Sequence, residues 1–303
     1  MNPQDLGYNK PLFILAFDHR SSFTKNILGI SGEPNEEQTK QIQEMKQTIF
    51  AGFKKGVEMG VPKEAAAVLC DEQFGPGVLK AAKEGGYVFA VCTEKSGQKE
   101  YMFEHGEDFG SHLQAVGPTF AKALIRYNPE EDAELNKRQL ATLKRLSDFC
   151  HENGLKLLVE PLTPPTPAQL EKVGGDQKRY DLEIRPGLMV EMVRQFQAAG
   201  VETDVWKIEG LEKTEEYEAV IKQARSGGRD KVVAVILGRG ADNAQVEKWL
   251  HAAAKAQGLM GFAIGRSIFH EALMALKEGK ATKEEAVNQI AKNYLHFYEV
   301  FKS

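Results

Sequence analysis

The chain has 303 residues, 42% hydrophobic and 27% charged, enough material for one large core or two ordinary domains. A formal net charge of -4 without long like-charge runs gives no electrostatic footprint for nucleic acid or an anionic membrane, yet leaves room for a local cationic pocket that takes a phosphorylated small molecule. No stretch approaches the ~20 continuous apolar residues of a membrane span, and Met1 to Lys10 is too polar for a signal peptide, so a cytoplasmic protein is expected.

Leu12 to Phe17 is an apolar run ending in Asp18-His19-Arg20, the pattern of a fully buried strand that delivers polar residues at its C-terminal end. From Asn35 to Met59, Ile42, Met45, Ile49, Phe53 and Val57 fall at helical spacing, and Asn35 with Gln38 forms a capping pair. Ala65 to Leu69 is the next run. It closes in Cys70-Asp71-Glu72, followed by the loop Gln73-Phe74-Gly75-Pro76-Gly77 and a short helix to Glu84. Tyr87 to Cys92 ends in Thr93-Glu94-Lys95. Residues 96 to 119 have sparse periodicity and carry no assignment. Phe120 to Tyr127 holds Lys122 and Arg126 and runs into Asn128-Pro129.

A helix with Leu140, Leu143, Leu146 and Phe149 inward leads to Leu155 to Val159, then Glu160-Pro161-Leu162-Thr163 and a proline-rich loop through Pro167, long enough to form a lid. Pro186 opens a helix through Ala199. The run Asp204-Val205-Trp206-Lys207-Ile208-Glu209-Gly210 follows, then a helix over about Thr214 to Arg225. Val232 to Leu237 ends in Gly238-Arg239-Gly240, with Asp242 capping a helix to Gln257. Gly261 to Ile264 ends in Gly265-Arg266-Ser267, and Thr282 with Glu285 caps a final helix through Phe301. Cys70, Cys92 and Cys150, odd in number and widely spaced, read as reduced, buried thiols rather than a disulfide framework or a zinc site.

Eight apolar runs, most followed by a helix, imply parallel β-α units. In a chain slightly longer than the usual ~250 residues they predict a (β/α)8 TIM barrel, with 1–303 as a single domain. The competing architecture is an open doubly wound sheet, disfavoured because no G-x-G-x-x-G turn follows the first run.

In a barrel, active sites lie at the C-terminal strand ends, which here carry Asp18, Asp71, Glu94, Asn128, Glu160, Arg239 and Arg266, with Lys122 and Lys207 inside their strands. For any one strand-end group the plain alternative is a solvated loop or a cap. Alternation sends Lys207 to the interior face with Val205 and Glu209, while Trp206 and Ile208 face the helices. Lys207 is then either an ammonium neutralising interior carboxylates or a Schiff-base amine, kept uncharged by partial burial and by cations such as Lys122, Arg239 or Arg266. Glu160, one strand earlier, is its proton shuttle or only its salt-bridge partner. The loops Gly238-Arg239-Gly240 and Gly265-Arg266-Ser267 follow strands 7 and 8, the usual phosphate position of such barrels.

Phe17-Asp18-His19-Arg20, Asp71-Glu72-Gln73-Phe74-Gly75, Arg126-Tyr127-Asn128-Pro129, Val159-Glu160-Pro161-Leu162, Asp204 to Glu209 and Ala263 to Phe269 together resemble one family along nearly the whole chain. It is the aldolase-like domain fused to bacterial 5-keto-2-deoxygluconokinases of myo-inositol catabolism. More distantly, the chain resembles the class I tagatose-1,6-bisphosphate and sulfofructosephosphate aldolases. The resemblance implies a (β/α)8 barrel with the Schiff-base lysine at Lys207, the proton-transfer glutamate at Glu160, and the strand-1 aspartate and strand-4 lysine at Asp18 and Lys122. It implies aldol cleavage of a phosphorylated ketose or keto-acid, with 6-phospho-5-dehydro-2-deoxygluconate yielding dihydroxyacetone phosphate and malonate semialdehyde.

No cofactor or metal is expected: of the seven histidines only His19 and His270 lie near strand ends, without close-spaced partners. The sequence is compatible with a homo-oligomer. An isomerase or epimerase using Glu160, and a non-catalytic sugar-phosphate-binding barrel, are the other readings it allows.

Overall fold

Eight runs of apolar residues become strands buried on both faces, because each is covered by barrel interior on one side and by helices on the other. The computed structural model describes residues 2–303. In chain order the elements are β1 (Leu12–Ala16), α1 (Glu36–Met59), β2 (Ala66–Cys70), α2 (Pro76–Glu84), β3 (Val88–Cys92), α3 (Phe109–Val116), β4 (Phe120–Arg126), α4 (Ala133–Glu152) and β5 (Lys156–Leu162). They continue with α5 (Pro167–Lys172), α6 (Gln177–Glu183), α7 (Arg185–Ala198), β6 (Val205–Glu209), α8 (Thr214–Ala224), β7 (Val233–Leu237), α9 (Asn243–Ala254), β8 (Leu259–Ile264), α10 (Arg266–Lys277) and α11 (Lys283–Lys302).

Each strand pairs in parallel with the next and β8 closes on β1, with Leu12 opposite Gly261. The fold is therefore a closed (β/α)8 barrel and not an open doubly wound sheet. The capping pairs read from the sequence are present as reciprocal side-chain and backbone bonds at Asn35–Gln38 and Thr282–Glu285. Cys70, Cys92 and Cys150 are buried and unpaired. Among the described residues no helix is long and apolar enough to cross a membrane.

Alternation divides the core into two layers. Leu12, Ile14, Leu158, Val205 and Val235 point inward and form an apolar floor inside the barrel. Their sequence neighbours, such as Phe13, Val159, Trp206 and Ile236, join the larger layer between strands and helices. Trp206 is fully buried there against Phe196, ring centres 5.7 Å apart. Each large apolar side chain sealed this way contributes ~1.5–3 kcal/mol, so the two layers carry most of the favourable free energy of folding.

One boundary differs usefully from expectation. β5 does not stop at Val159 but continues through Glu160-Pro161-Leu162, paired with β4 as far as Arg126 opposite Leu162. A proline inside a strand is tolerated here because the β5–β6 pairing involves only Leu158 and Val159. The N–H that Pro161 lacks therefore breaks no ladder on that side. Glu160 thus stands on rigid strand rather than on a loop.

Candidate active site at the C-terminal mouth of the barrel

The floor predicts where the charged groups stand. Ala16, Phe120, Leu158 and Val205 all belong to the inner apolar layer. Two residues further along the same four segments come Asp18, Lys122, Glu160 and Lys207, which alternation aims into the same interior one layer closer to the mouth. They line a cavity of about 200 Å³ together with Glu94 and the loop after β3.

Within it, Lys207 Nζ donates to Glu160 Oε2 at 2.9 Å. Lys122 Nζ lies 3.0 Å from the same oxygen and donates to Asp18 Oδ2 and Glu94 Oε1, each at 2.7 Å. The second oxygen of Glu94 accepts from the Leu124 backbone N–H at 3.1 Å. Lys122 and Lys207 are 1% and 4% exposed, so these contacts act with little solvent screening.

Burial alone would raise the carboxyl pKa values here, but Lys122 and Lys207 reverse it, holding Asp18 far below its ordinary range and Glu160 below its own. Burial likewise works against charge on Lys122. Asp18, Glu160 and Glu94 overcome it and hold that amine well above its usual pKa, so it stays an ammonium.

Two further groups set the position of Asp18. Lys46, on α1 and fully buried, donates to the carbonyls of Phe17 (2.9 Å) and His19 (3.2 Å) on either side of it, and forms a buried ion pair with Asp71. Asp71 also accepts from Phe74 N at 2.7 Å. The strand-2 acid is thus a structural anchor rather than a wall of the cavity. His19 has a buried Nδ1 without a hydrogen-bond partner. Its pKa is pushed down to about 4, first by burial, with Lys207 and Arg266 adding to the effect against Asp18.

The cover of the cavity comes from residues 95 to 102. Lys95 N bonds to Met102 O at 2.8 Å, and Glu94 pairs with Phe103 in an antiparallel bridge, making a small hairpin. Arg20 ties its base to Glu104 at 2.9 Å, Tyr101 Oη meets Thr93 Oγ1 at 2.9 Å, and Arg126 donates to Gln98 O at 3.1 Å. The proline-rich segment after β5, expected as a lid, is instead tied down. Thr163 N donates to Glu209, Tyr180 Oη donates to Thr163 O, and Pro164 O accepts from Asn128. Asn128 is buried behind the rim, its amide also bonded to Gln169 Oε1 at 2.7 Å, and it lines none of the cavity.

The two Gly-Arg loops divide. Arg239, with a left-handed φ of 49°, turns its guanidinium to Glu209 (2.8 Å) and Asp181 (2.6 Å), stitching the loop after β7 to β6 and α6. Gly238 packs beside Ile264 and Ser267. Arg266 is exposed, and among the described residues no ion pair holds its guanidinium as Glu209 and Asp181 hold that of Arg239. It lies across Gly240, where the left-handed φ of 71° favours glycine. Gly265 likewise leaves room only for the Ala16 carbonyl. Gly240, Arg266 and Ser267 line an open cleft, and Arg266 also borders a small recess with His19 and Ser22, both of which line the Lys207 cavity. Arg266 and the Lys207 cavity thus lie on neighbouring recesses that share His19 and Ser22.

A family profile described as "Uncharacterized protein conserved in bacteria (DUF2090)" matches residues 6–303. The chain belongs to the DUF2090 family. Tagatose 1,6-diphosphate aldolase of Listeria monocytogenes serotype 4a (strain HCC23) is 26% identical over 200 residues, covering 64% of this chain and 54% of the relative. Tagatose 1,6-diphosphate aldolase 2 of Enterococcus faecalis (strain ATCC 700802 / V583) is 26% identical over 207 residues, covering 64% and 55%. The DUF2090 chain thus spans about half the length of the curated relatives it matches.

Among solved structures, fructose-bisphosphate aldolase from Plasmodium falciparum aligns with a TM-score of 0.67 at 14% identity, covering 99% of this chain and 92% of that one. An archaeal fructose-1,6-bisphosphate aldolase, its catalytic Lys covalently bound to a carbinolamine intermediate, aligns at 0.57 and 15% identity, covering 97% and 94%. At these identities the likeness is one of fold.

Glu94 and His19 line the cavity and Lys46 braces the backbone around Asp18, and no strand-end reading assigned any of the three a role. For Glu94 a signal existed, an acid closing the third apolar run. For Lys46 there was none, because a lysine on a helix reads as solvated until tertiary packing buries it.

Proposed function

We propose that this DUF2090 chain is a Schiff-base aldolase whose nucleophile is Lys207. The observation that carries this reading is the unequal environment of the two buried lysines. Lys122 is held by three carboxylates, whereas Lys207 contacts one, Glu160, a group that can take and return its proton.

Lys207 Nζ adds to a ketone carbon, and Glu160 delivers the proton with which the carbinolamine loses water. The resulting protonated imine draws electrons from the adjacent carbon-carbon bond. Glu160, or a water it holds, takes the proton of the neighbouring hydroxyl as that bond breaks, which releases an aldehyde and leaves an enamine on Lys207. Protonation and hydrolysis return the free amine. Lys122 stays charged throughout, keeping Asp18 ionised and drawing Glu160 back to its carboxylate form between proton transfers, and Asp18 receives substrate hydroxyls.

Six cationic side chains against four acidic ones line the cavity, with Lys95, Lys99 and Arg126 in or beneath the covering hairpin. Arg266 stands in the neighbouring recess that also holds His19 and Ser22. Cations within the cavity and beside it suit a ketone flanked by two anionic groups. We place 6-phospho-5-dehydro-2-deoxygluconate first as the substrate, with dihydroxyacetone phosphate and malonate semialdehyde as products. Tagatose 1,6-bisphosphate, favoured by the names of the Listeria and Enterococcus relatives, is second.

Borohydride reduction in the presence of dihydroxyacetone phosphate, followed by peptide mass spectrometry, is expected to place the adduct on Lys207. The same reduction across a panel of ketose phosphates ranks the substrates. An adduct on another lysine removes Lys207 as the nucleophile, and none with any ketose phosphate removes the covalent mechanism.

A further inference from the structure

Away from the cavity, three metal-ligand side chains converge from separate parts of the chain. Glu72 follows β2, His105 precedes the short helical turn Gly106–Asp108, and His112 lies on α3. His105 Nε2 is 3.0 Å from Glu72 Oε2, and His112 Nδ1 is 3.4 Å from Glu72 Oε1. The imidazoles stack with centres 3.5 Å apart and planes 4° from parallel, and one donor atom from each residue falls within 4.8 Å of the others. None of the three lines the Lys207 cavity.

We propose that Glu72, His105 and His112 form a binding site for a late first-row divalent cation, zinc foremost, with water completing a tetrahedron. Bonds of about 2.0–2.2 Å in tetrahedral geometry put neighbouring donors about 3.3–3.6 Å apart, close to the present carboxylate-to-imidazole separations. Two imidazoles and one carboxylate are a zinc-type donor set. Magnesium and calcium, which prefer all-oxygen shells, are poorly matched. The rings need only swing about their broad χ2 torsions for both lone pairs to meet at one ion. With the Glu72, His105 and His112 side chains 23%, 29% and 43% exposed, an ion and its water can enter.

The backbones that present these ligands are already held. Asp71, beside Glu72, is locked to Lys46 and to Phe74 N, and Glu104, beside His105, is paired with Arg20 and bonded through its N–H to Thr93 O. Preorganisation of this kind reduces the ordering cost of binding. A bound ion would clamp α3 and the return arm of the covering hairpin to the end of β2, making the metal a structural clamp rather than a participant in the reaction. The site is independent of the aldolase reading.

The test uses the full chain, stripped with a chelator and titrated with zinc chloride by calorimetry in phosphate-free buffer. One equivalent should bind, and Tm should rise with zinc concentration. Cobalt in its place should give the intense visible bands of a tetrahedral ion. His105→Ala, His112→Ala and Glu72→Gln should each weaken binding by at least about tenfold. His296→Ala, at an exposed histidine paired with Glu247 elsewhere on the surface, should leave it unaltered. Should His105→Ala fold poorly, His112→Gln on the more exposed ring carries the same comparison. Absence of saturable binding, or binding that the histidine variants leave intact, would overturn the proposal.

Discussion

Lys207 Nζ lies 2.9 Å from Glu160 Oε2, an amine and a carboxylate on adjacent strands, each two residues beyond an apolar floor residue. The contact gives the proposed nucleophile a proton acceptor that is positioned before any substrate arrives, and both side chains stand on strands rather than loops.

Glu160→Gln keeps the shape of the contact and removes the base. Turnover of the best substrate is expected to fall by roughly 10²–10⁴-fold with little change in KM. Steady-state kinetics alongside borohydride trapping check this: the adduct should still form on Lys207, only more slowly. Undiminished kcat would remove Glu160 as the proton shuttle.

Lys46→Met should leave the Asp71 carboxylate buried without its cation, at a cost of about 3–5 kcal/mol, read as a fall in the urea midpoint or Tm. Because Lys46 also holds the carbonyls of Phe17 and His19, kcat should drop too. Lys46→Met/Asp71→Asn should recover stability, but not the placement of Asp18. If the double variant regains full activity, Lys46 does not act through that backbone.

Arg266 and Arg239 should behave oppositely. Arg266→Ala is expected to raise KM for a phosphorylated substrate by about 10- to 100-fold, the value of a charge-assisted contact. Arg239→Ala should instead lower Tm, since it strips Glu209 and Asp181 of a partner. Equal effects of the two on KM would argue against this division.

The pH dependence of stability follows from the signs of the shifts. Asp18 and Glu160 have pKa values lowered from 3.8 and 4.5, so their contribution is fully present above those values and is lost as pH falls below them. Lys122, raised from 10.5, contributes fully below that value and loses its contribution as pH climbs beyond it. His19 acts between: lowered from 6.5 to about 4, it stays neutral in the folded chain while the unfolded chain takes up a proton. Stability should therefore decline as pH descends from 6.5 toward 4, and His19→Gln should flatten that slope. Parallel Tm profiles for the variant and the parent protein would contradict a buried neutral His19.

The barrel itself was legible in the sequence. Eight apolar runs at β-α spacing need cover on both faces, and the alternation around Lys207 already put Trp206 outside and Val205 within. The same period-2 rule brings Lys207, Glu160, Lys122 and Asp18 to one level of one interior. Local pattern suffices there because strand periodicity is set by the backbone.

Other parts of the site depended on distances between segments far apart in the chain. Whether Arg239 or Arg266 is free depends on Glu209 and Asp181 lying beside the first and not the second. Asn128 became a loop anchor because Gln169 and Pro164 fold against it. The unassigned residues 96 to 119 supplied both the cover of the cavity and the two histidines beside Glu72, since their order comes from packing and ion pairs rather than from hydrophobic period. Sequence alone determined which residues face inward, through the geometry of the strand. Only the tertiary structure decided which charges meet, because a charge takes the nearest partner in space, whatever its distance along the chain.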